Sequence, residues 1–251
     1  MNLPVRLTLL CLAAAALQAW GEQHAPSPAP GPARAAAAAA RVRPLLEPAL
    51  AAKGLQLGDP VFIRAFKEEK LLELFVRHRP SARFVWFRSY PIAAASGTLG
   101  PKLTQGDRQV PEGCYAVPPA AMKPDSRYHL AFNLGYPNAY DRIHRRTGDA
   151  IMIHGNEVSV GCLAMTDAKI EEIYTLCDAA LRGGQGFFQV HVLPFRMSAE
   201  RMRRVAGEPW QEFWNNLKQG YDIFERTGVP PEVTLDQGHY QFHARQAAPR
   251  I

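Results

Sequence analysis

The segment Ile151-Met-Ile-His154-Gly155-Asn-Glu-Val-Ser159-Val-Gly161-Cys162 holds the residue types that could do chemistry. A cysteine attacks as its thiolate, and an ordinary thiol near pKa ~8.5 is only a few per cent ionised at neutral pH. An imidazole beside it can take that proton and later return it to a leaving group. His154 closes a short apolar strand beginning at Ala150, and Gly155 leaves room for a tight turn. Gly161 would let backbone approach a reacting carbonyl, so amides near Gly161 and Cys162 could hold an oxyanion, with Ser159 supporting the same turn. Spacing alone leaves two readings open. A buried cysteine after a glycine, beside a loop histidine, would give the same pattern.

Other polar residues carry weaker patterns. His129, His144, His154 and Cys162 are all acceptable zinc ligands, but no compact ligand pair is found among them, and neither a metal nor a cofactor is expected. Tyr136, Asn138, Tyr140 and Asp141 could line a sugar or peptide groove or form an ordinary Gly-Pro-Asn turn. Glu171 and Glu172 are expected on a helix surface. His191, between two valines, is expected to be structural.

The elements that must position these residues change character along the chain. Alternating residues at Val61–Phe66, Leu72–Val76 and Phe84–Ser89, joined by polar turns, predict three antiparallel strands in a meander. Ser96 to Pro119 is dense in Gly and Pro and predicts loops framing short strands. Thr166 or Asp167 should cap a helix whose apolar positions Ile170, Ile173, Tyr174, Cys177 and Leu181 keep helical spacing up to Gly183-Gly184. A strand at Phe187–Val192, a helix capped by Ser198 and another from Trp210 to Tyr221 follow. The class is α+β, richer in strand first and more helical in the C-terminal part.

The first 21 residues read as a secretory signal peptide, with a short basic end, the apolar run Leu7–Leu17, and small residues at Ala19 and Gly21. Residues 22–44 are a Pro/Ala-rich linker, with a short helix from Leu45 to Lys53 capped by Gly54. The domain then runs over residues 45–236, and a basic tail over 237–251. The chain is therefore expected to be exported, and no later apolar run is long enough to cross a membrane. Cys11 leaves with the signal, so Cys114, Cys162 and Cys177 remain, and in an oxidising compartment an odd count keeps one thiol unpaired. The 251 residues are 47% hydrophobic with a formal charge of +6, which excludes a disordered chain. Basic residues are spread out without stacking aromatics, so nucleic acid is not the expected partner. The sequence does not speak to oligomeric state.

Histidine-glycine followed by Ser-x-Gly-Cys resembles the active-site signature of the YkuD-type L,D-transpeptidase domain. The strings VFIRAFKEEKLLEL, SGTLGPKLTQGDRQVPEGCYAV, SRYHLAFNLGYPNAYDR, RTGDAIMIHG, SVGCLAMTD, EEIY and VHVLPFRM resemble its YafK-like murein branch, in order from Val61 to beyond Met197. The resemblance implies a β-sandwich with flanking helices and a cysteine enzyme acting on peptidoglycan stem peptides in cell wall biogenesis. It implies Cys162 as nucleophile, His154 as proton carrier, and the Gly155 carbonyl orienting the imidazole. Two departures stand out: Cys162 follows His154 by only eight positions, a shorter spacing than usual in the family, and Ala164 stands where the family often has Arg. Recognition of the substrate carboxylate then falls to Arg142, Arg146 or Lys102, with Arg108 and Arg145 as further basic candidates, while Tyr140 of the possible groove is a further candidate substrate contact. A hydrolase cutting crosslinks or lipoprotein–peptidoglycan attachments is the first alternative. A non-catalytic peptidoglycan-binding module is the second.

Overall fold

The computed structural model describes residues 31–245. The expected signal peptide lies outside the described residues. The first element is helix α1 (Gly31–Ala51), which takes in most of the segment expected as linker. Its alanines favour helix intrinsically, and Ala38, Val42, Leu46 and Leu50 recur every fourth residue on one buried face. Pro44 and Pro48 lie inside it. Each removes one backbone hydrogen bond, which in the sequence reads as a helix break.

Strands β1 (Val61–Phe66), β2 (Leu71–Arg77) and β3 (Phe84–Pro91) form the expected antiparallel meander. Next come β4 (Ala94–Ala95), β5 (Gly113–Val117), β6 (Met122–Lys123) and β7 (Ala131–Asn133), then helix α2 (Ala139–Ile143). The short strands β8 (Met152–His154) and β9 (Leu163–Ala164) lead into helix α3 (Asp167–Arg182). Strand β10 (Phe188–Leu193), helices α4 (Ala199–Arg204) and α5 (Gln211–Thr227), and strands β11 (Glu232–Asp236) and β12 (His239–His243) follow. The Thr166 and Ser198 side chains cap α3 and α4 as their positions predicted.

Two five-stranded sheets result, ordered β3-β2-β1-β10-β5 and β4-β9-β8-β7-β6. They share one apolar core, in which Ile63 and Val190 of the first sheet join Phe132, Ile153 and Leu163 of the second and Ile170 and Ile173 of α3. Phe132 meets Phe188 edge-on across the layers at 5.2 Å. The first sheet is also covered on its other face: Phe62 and Phe75 pack on Phe224 of α5. That explains why β1 is buried at every position although its residues read as an alternating strand. Arg64 is tolerated there because Glu73 and Glu225 pair it at 2.9 and 2.5 Å.

The segment expected as a basic tail is partly structured. Strand β12 pairs with β11, and Tyr240 is buried, stacked on Tyr140 with ring centroids 4.3 Å apart. Asn216 of α5 fastens this hairpin, donating to the Tyr240 carbonyl and accepting from its N–H.

Candidate active site

The site forms where β8 and β9 run side by side. These strands are parallel, with Ile153 opposite Leu163 and His154 opposite Ala164. Cys162 stands immediately before β9, two residues ahead of the partner of His154. Side chains two apart on adjacent strands leave the same face of a sheet, so the eight-residue loop returns the thiol to the histidine's side. The Met152 N–H donates to Cys162 Sγ at 3.4 Å, and the thiol reaches the Ala150 carbonyl at 3.6 Å.

The imidazole is fixed by its other nitrogen. His154 Nδ1 lies 2.5 Å from the Gly155 carbonyl oxygen. A carbonyl only accepts, so Nδ1 carries the proton and Nε2 keeps its lone pair. Gly155 is required for space: a Cβ there would stand 2.6 Å from Asp167 Oδ1 and 2.8 Å from the Tyr128 carbonyl oxygen. Burial pushes the His154 pKa down, partly opposed by the Gly155 hydrogen bond. Burial pushes the Cys162 thiol up, against the Met152 N–H and the Lys102 ammonium. Both shifts favour the uncharged form, a neutral thiol and a neutral imidazole. Cys114 and Cys177 are driven up by burial as well, and Cys177 is wholly enclosed by the core.

The supporting residues differ from expectation in detail. Gly161 has the left-handed φ of +84° that favours glycine, but its N–H already donates to Ser96 Oγ at 2.7 Å, so it is not a spare oxyanion donor. Ser159 Oγ donates to the Cys162 carbonyl at 2.6 Å and braces the turn. Tyr140 and Arg146, candidate substrate residues, are instead packed inside. Tyr140 stacks between Tyr240 and Phe213, and Arg146 is bound to Asp141 at 2.8 Å. Arg142 donates to the Pro137 carbonyl on the surface. Lys102 is buried close enough to influence Cys162, yet its ammonium is held by Asp107 at 2.6 Å and the Thr104 carbonyl at 2.8 Å. The residues named for zinc are not gathered: His129 binds Glu171, His144 binds the Gly238 carbonyl, and among the described residues no three His, Cys, Asp or Glu side chains cluster to hold an ion.

Several contributors other than Lys102 had no signal in the sequence. Tyr128 lies over the His154 ring, centroids 4.7 Å apart and planes inclined by 31°. Ser96 and Lys102 belong to a loop pinned from below by Lys67 and Glu112. Lys67 Nζ donates to the Gly100 and Val110 carbonyls, while Glu112 accepts from the Gly100 N–H and from Trp214 Nε1. Exposed Val158 and Val160 sit in the turn between the histidine and the cysteine.

A two-sheet α+β domain that turns a histidine and a cysteine to one face of adjacent parallel strands is the class of protein this fold and site define. The family model of the YkuD L,D-transpeptidase catalytic domain matches residues 60–192, and the chain belongs to that family. An Escherichia coli K12 protein named "Putative L,D-transpeptidase YafK" is 47% identical over 184 residues, covering 73% of this chain and 74% of its own length. Among solved structures, the helical cell shape determining protein Pgp2 of Campylobacter jejuni aligns with a TM-score of 0.41 and 16% identity, over 70% of this chain and 73% of that one. Mycobacterium tuberculosis L,D-transpeptidase 1 aligns with a TM-score of 0.29 and 14% identity, over 53% and 62% of the two chains.

Proposed function

We propose that this protein is an exported, periplasmic L,D-transpeptidase that acylates Cys162 with a peptidoglycan stem peptide. The observation that carries the reading is the pairing of β8 with β9, which turns Cys162 and an Nδ1-anchored His154 to one face. His154 Nε2 takes the thiol proton as sulfur bonds to the donor carbonyl carbon. The proton passes to the departing amine as the C–N bond breaks, leaving a thioester. An incoming amine then gives its proton to Nε2, forms the new amide and expels the thiolate, which is reprotonated. The Cys162 N–H is the backbone donor proposed for the oxyanion, since that of Gly161 is engaged by Ser96.

A second reading, hydrolysis, differs only in the last step, where water replaces the amine. The short turn from His154 to Cys162 favours it, because less chain is available to shield the thioester. Incubation with murein, with and without an added D-amino acid, followed by mass spectrometry of muropeptides, tests both. Exchange of the amino acid into stem peptides is the expected result. Release of crosslinked or lipoprotein-bearing fragments without exchange would replace transfer by hydrolysis. Retained turnover in a folded Cys162→Ala variant would overturn the acyl-enzyme altogether.

A further inference from the structure

Helix α1 is joined to the loop that covers His154. Near its start, Arg34 Nη1 donates to the carbonyls of Ser126 and His129 at 2.8 and 2.7 Å. Two turns later Arg41 grips Glu171 of α3 with both Nη2 and Nε, at 2.5 and 3.1 Å. The same carboxylate meets His129 Nε2 at 2.7 Å. Burial works to raise the Glu171 carboxyl, but Arg41 and His129 outweigh it and hold the group below the usual range. His129 has a left-handed φ of +67°, a conformation a non-glycine residue adopts at a cost and keeps when its surroundings hold it there. Immediately before it in the chain is Tyr128, whose ring lies against His154. From the other side the loop is closed by the Gly155 N–H, which donates to the Leu130 carbonyl at 3.0 Å.

We propose that Tyr128 is a positioning residue for His154, and that α1 seats it through Arg41, Glu171 and His129, with Arg34 holding the loop backbone. The inference rests on the reading of His154 as the proton carrier. Tyr128 is 37% exposed while His154 is 2% exposed, so the tyrosine forms a wall between the imidazole and solvent rather than a core contact. One face of the imidazole is thereby desolvated while Nδ1 is held by Gly155. An imidazole kept dry and neutral can accept the thiol proton on demand. Opening that wall would let water favour the charged form, so the His154 titration should move up towards an ordinary imidazole. The other titratable or charged groups around this wall are Cys162, Asp167 against Gly155, His129, Glu171, and Arg127, whose guanidinium lies 5.9 Å from the Tyr128 ring centre.

The test is a proton NMR titration of the His154 ring in the full chain, assigned by loss of its signal in His154→Gln. Tyr128→Ala should raise the His154 pKa by about half a unit or more, and Tyr128→Phe, which keeps the ring, should leave it unchanged. Arg41→Ala combined with Arg34→Ala should raise it in the same direction, and Arg41→Lys should raise it less. Circular dichroism establishes that each variant is folded. An unchanged titration in folded Tyr128→Ala rejects the positioning role. A shift in Tyr128→Ala with none in the double arginine variant rejects the part assigned to α1. Because the titration needs no substrate, it decides this inference even if the murein assay rejects the proposed activity.

Discussion

Replacing Glu112 with Gln should destabilise the protein severely, because it strands a buried cation. Lys67 and Glu112 are 3.0 Å apart with side chains 7% and 0% exposed. Burial lowers the Lys67 pKa and Glu112 is the main charge opposing that shift. Glutamine can still accept from the Gly100 N–H but brings no charge to Lys67. Breaking one half of a buried pair costs about 3–5 kcal/mol. For a domain of this size each kcal/mol moves Tm by about 2–4 °C, so the melting point should fall by roughly 6–20 °C. The sign of its pH dependence follows from the lysine. With its folded pKa pushed further below the unfolded one, the native state binds fewer protons than the unfolded state between those two values. Stability of Glu112→Gln therefore rises with pH across that window, and its deficit against the parent narrows from pH 7 towards ~10. Replacing Lys67 by Met in the same variant removes the stranded charge and should recover part of the loss. Calorimetric melts of the three proteins at pH 7 and pH 9.5 read all of this. A fall in Tm below about 2 °C at pH 7, or a deficit that widens with pH, would refute the reasoning.

The remaining predictions concern the site itself. His154→Ala should abolish most turnover of a murein substrate in a variant that circular dichroism shows to be folded; a variant retaining more than about a tenth of the rate would remove His154 from the mechanism. Alkylation of Cys162 by iodoacetamide should be slow at pH 7 and keep climbing beyond ~8.5, since burial raises this thiol; a plateau already reached at pH 7 would mean a preformed thiolate. Gly155→Ala should cost about 1–3 kcal/mol and roughly a hundredfold in rate, because its Cβ meets Asp167 and the Tyr128 carbonyl. Gly161→Ala has ordinary contacts at 3.6 Å and should cost only the left-handed strain of about 1–2 kcal/mol; equal losses at the two glycines, by melt and by rate, would contradict that distinction.

Local patterns in the sequence determined what local physics controls. The meander from Val61 to Pro91, the caps at Thr166 and Ser198, and the apolar stripe of α3 follow from period, capping chemistry and spacing within a few residues. The cysteine, histidine and glycine of the site stand in one short segment, so their resemblance to a family signature was legible without a fold. Proline disguised α1, because the burial that sustains its helix through Pro44 and Pro48 comes from the rest of the domain. Tyr140 as a groove residue and Arg146 as a carboxylate binder were candidates only until the hairpin near the C-terminus supplied Tyr240 and α5 supplied Phe213 to cover them. Gly161 lost its expected role to Ser96, 65 residues earlier in the chain. His129, Arg41 and Glu171 meet only because two sheets and two helices close around one core. Contacts of that separation depend on how the whole chain packs, and no local period records them.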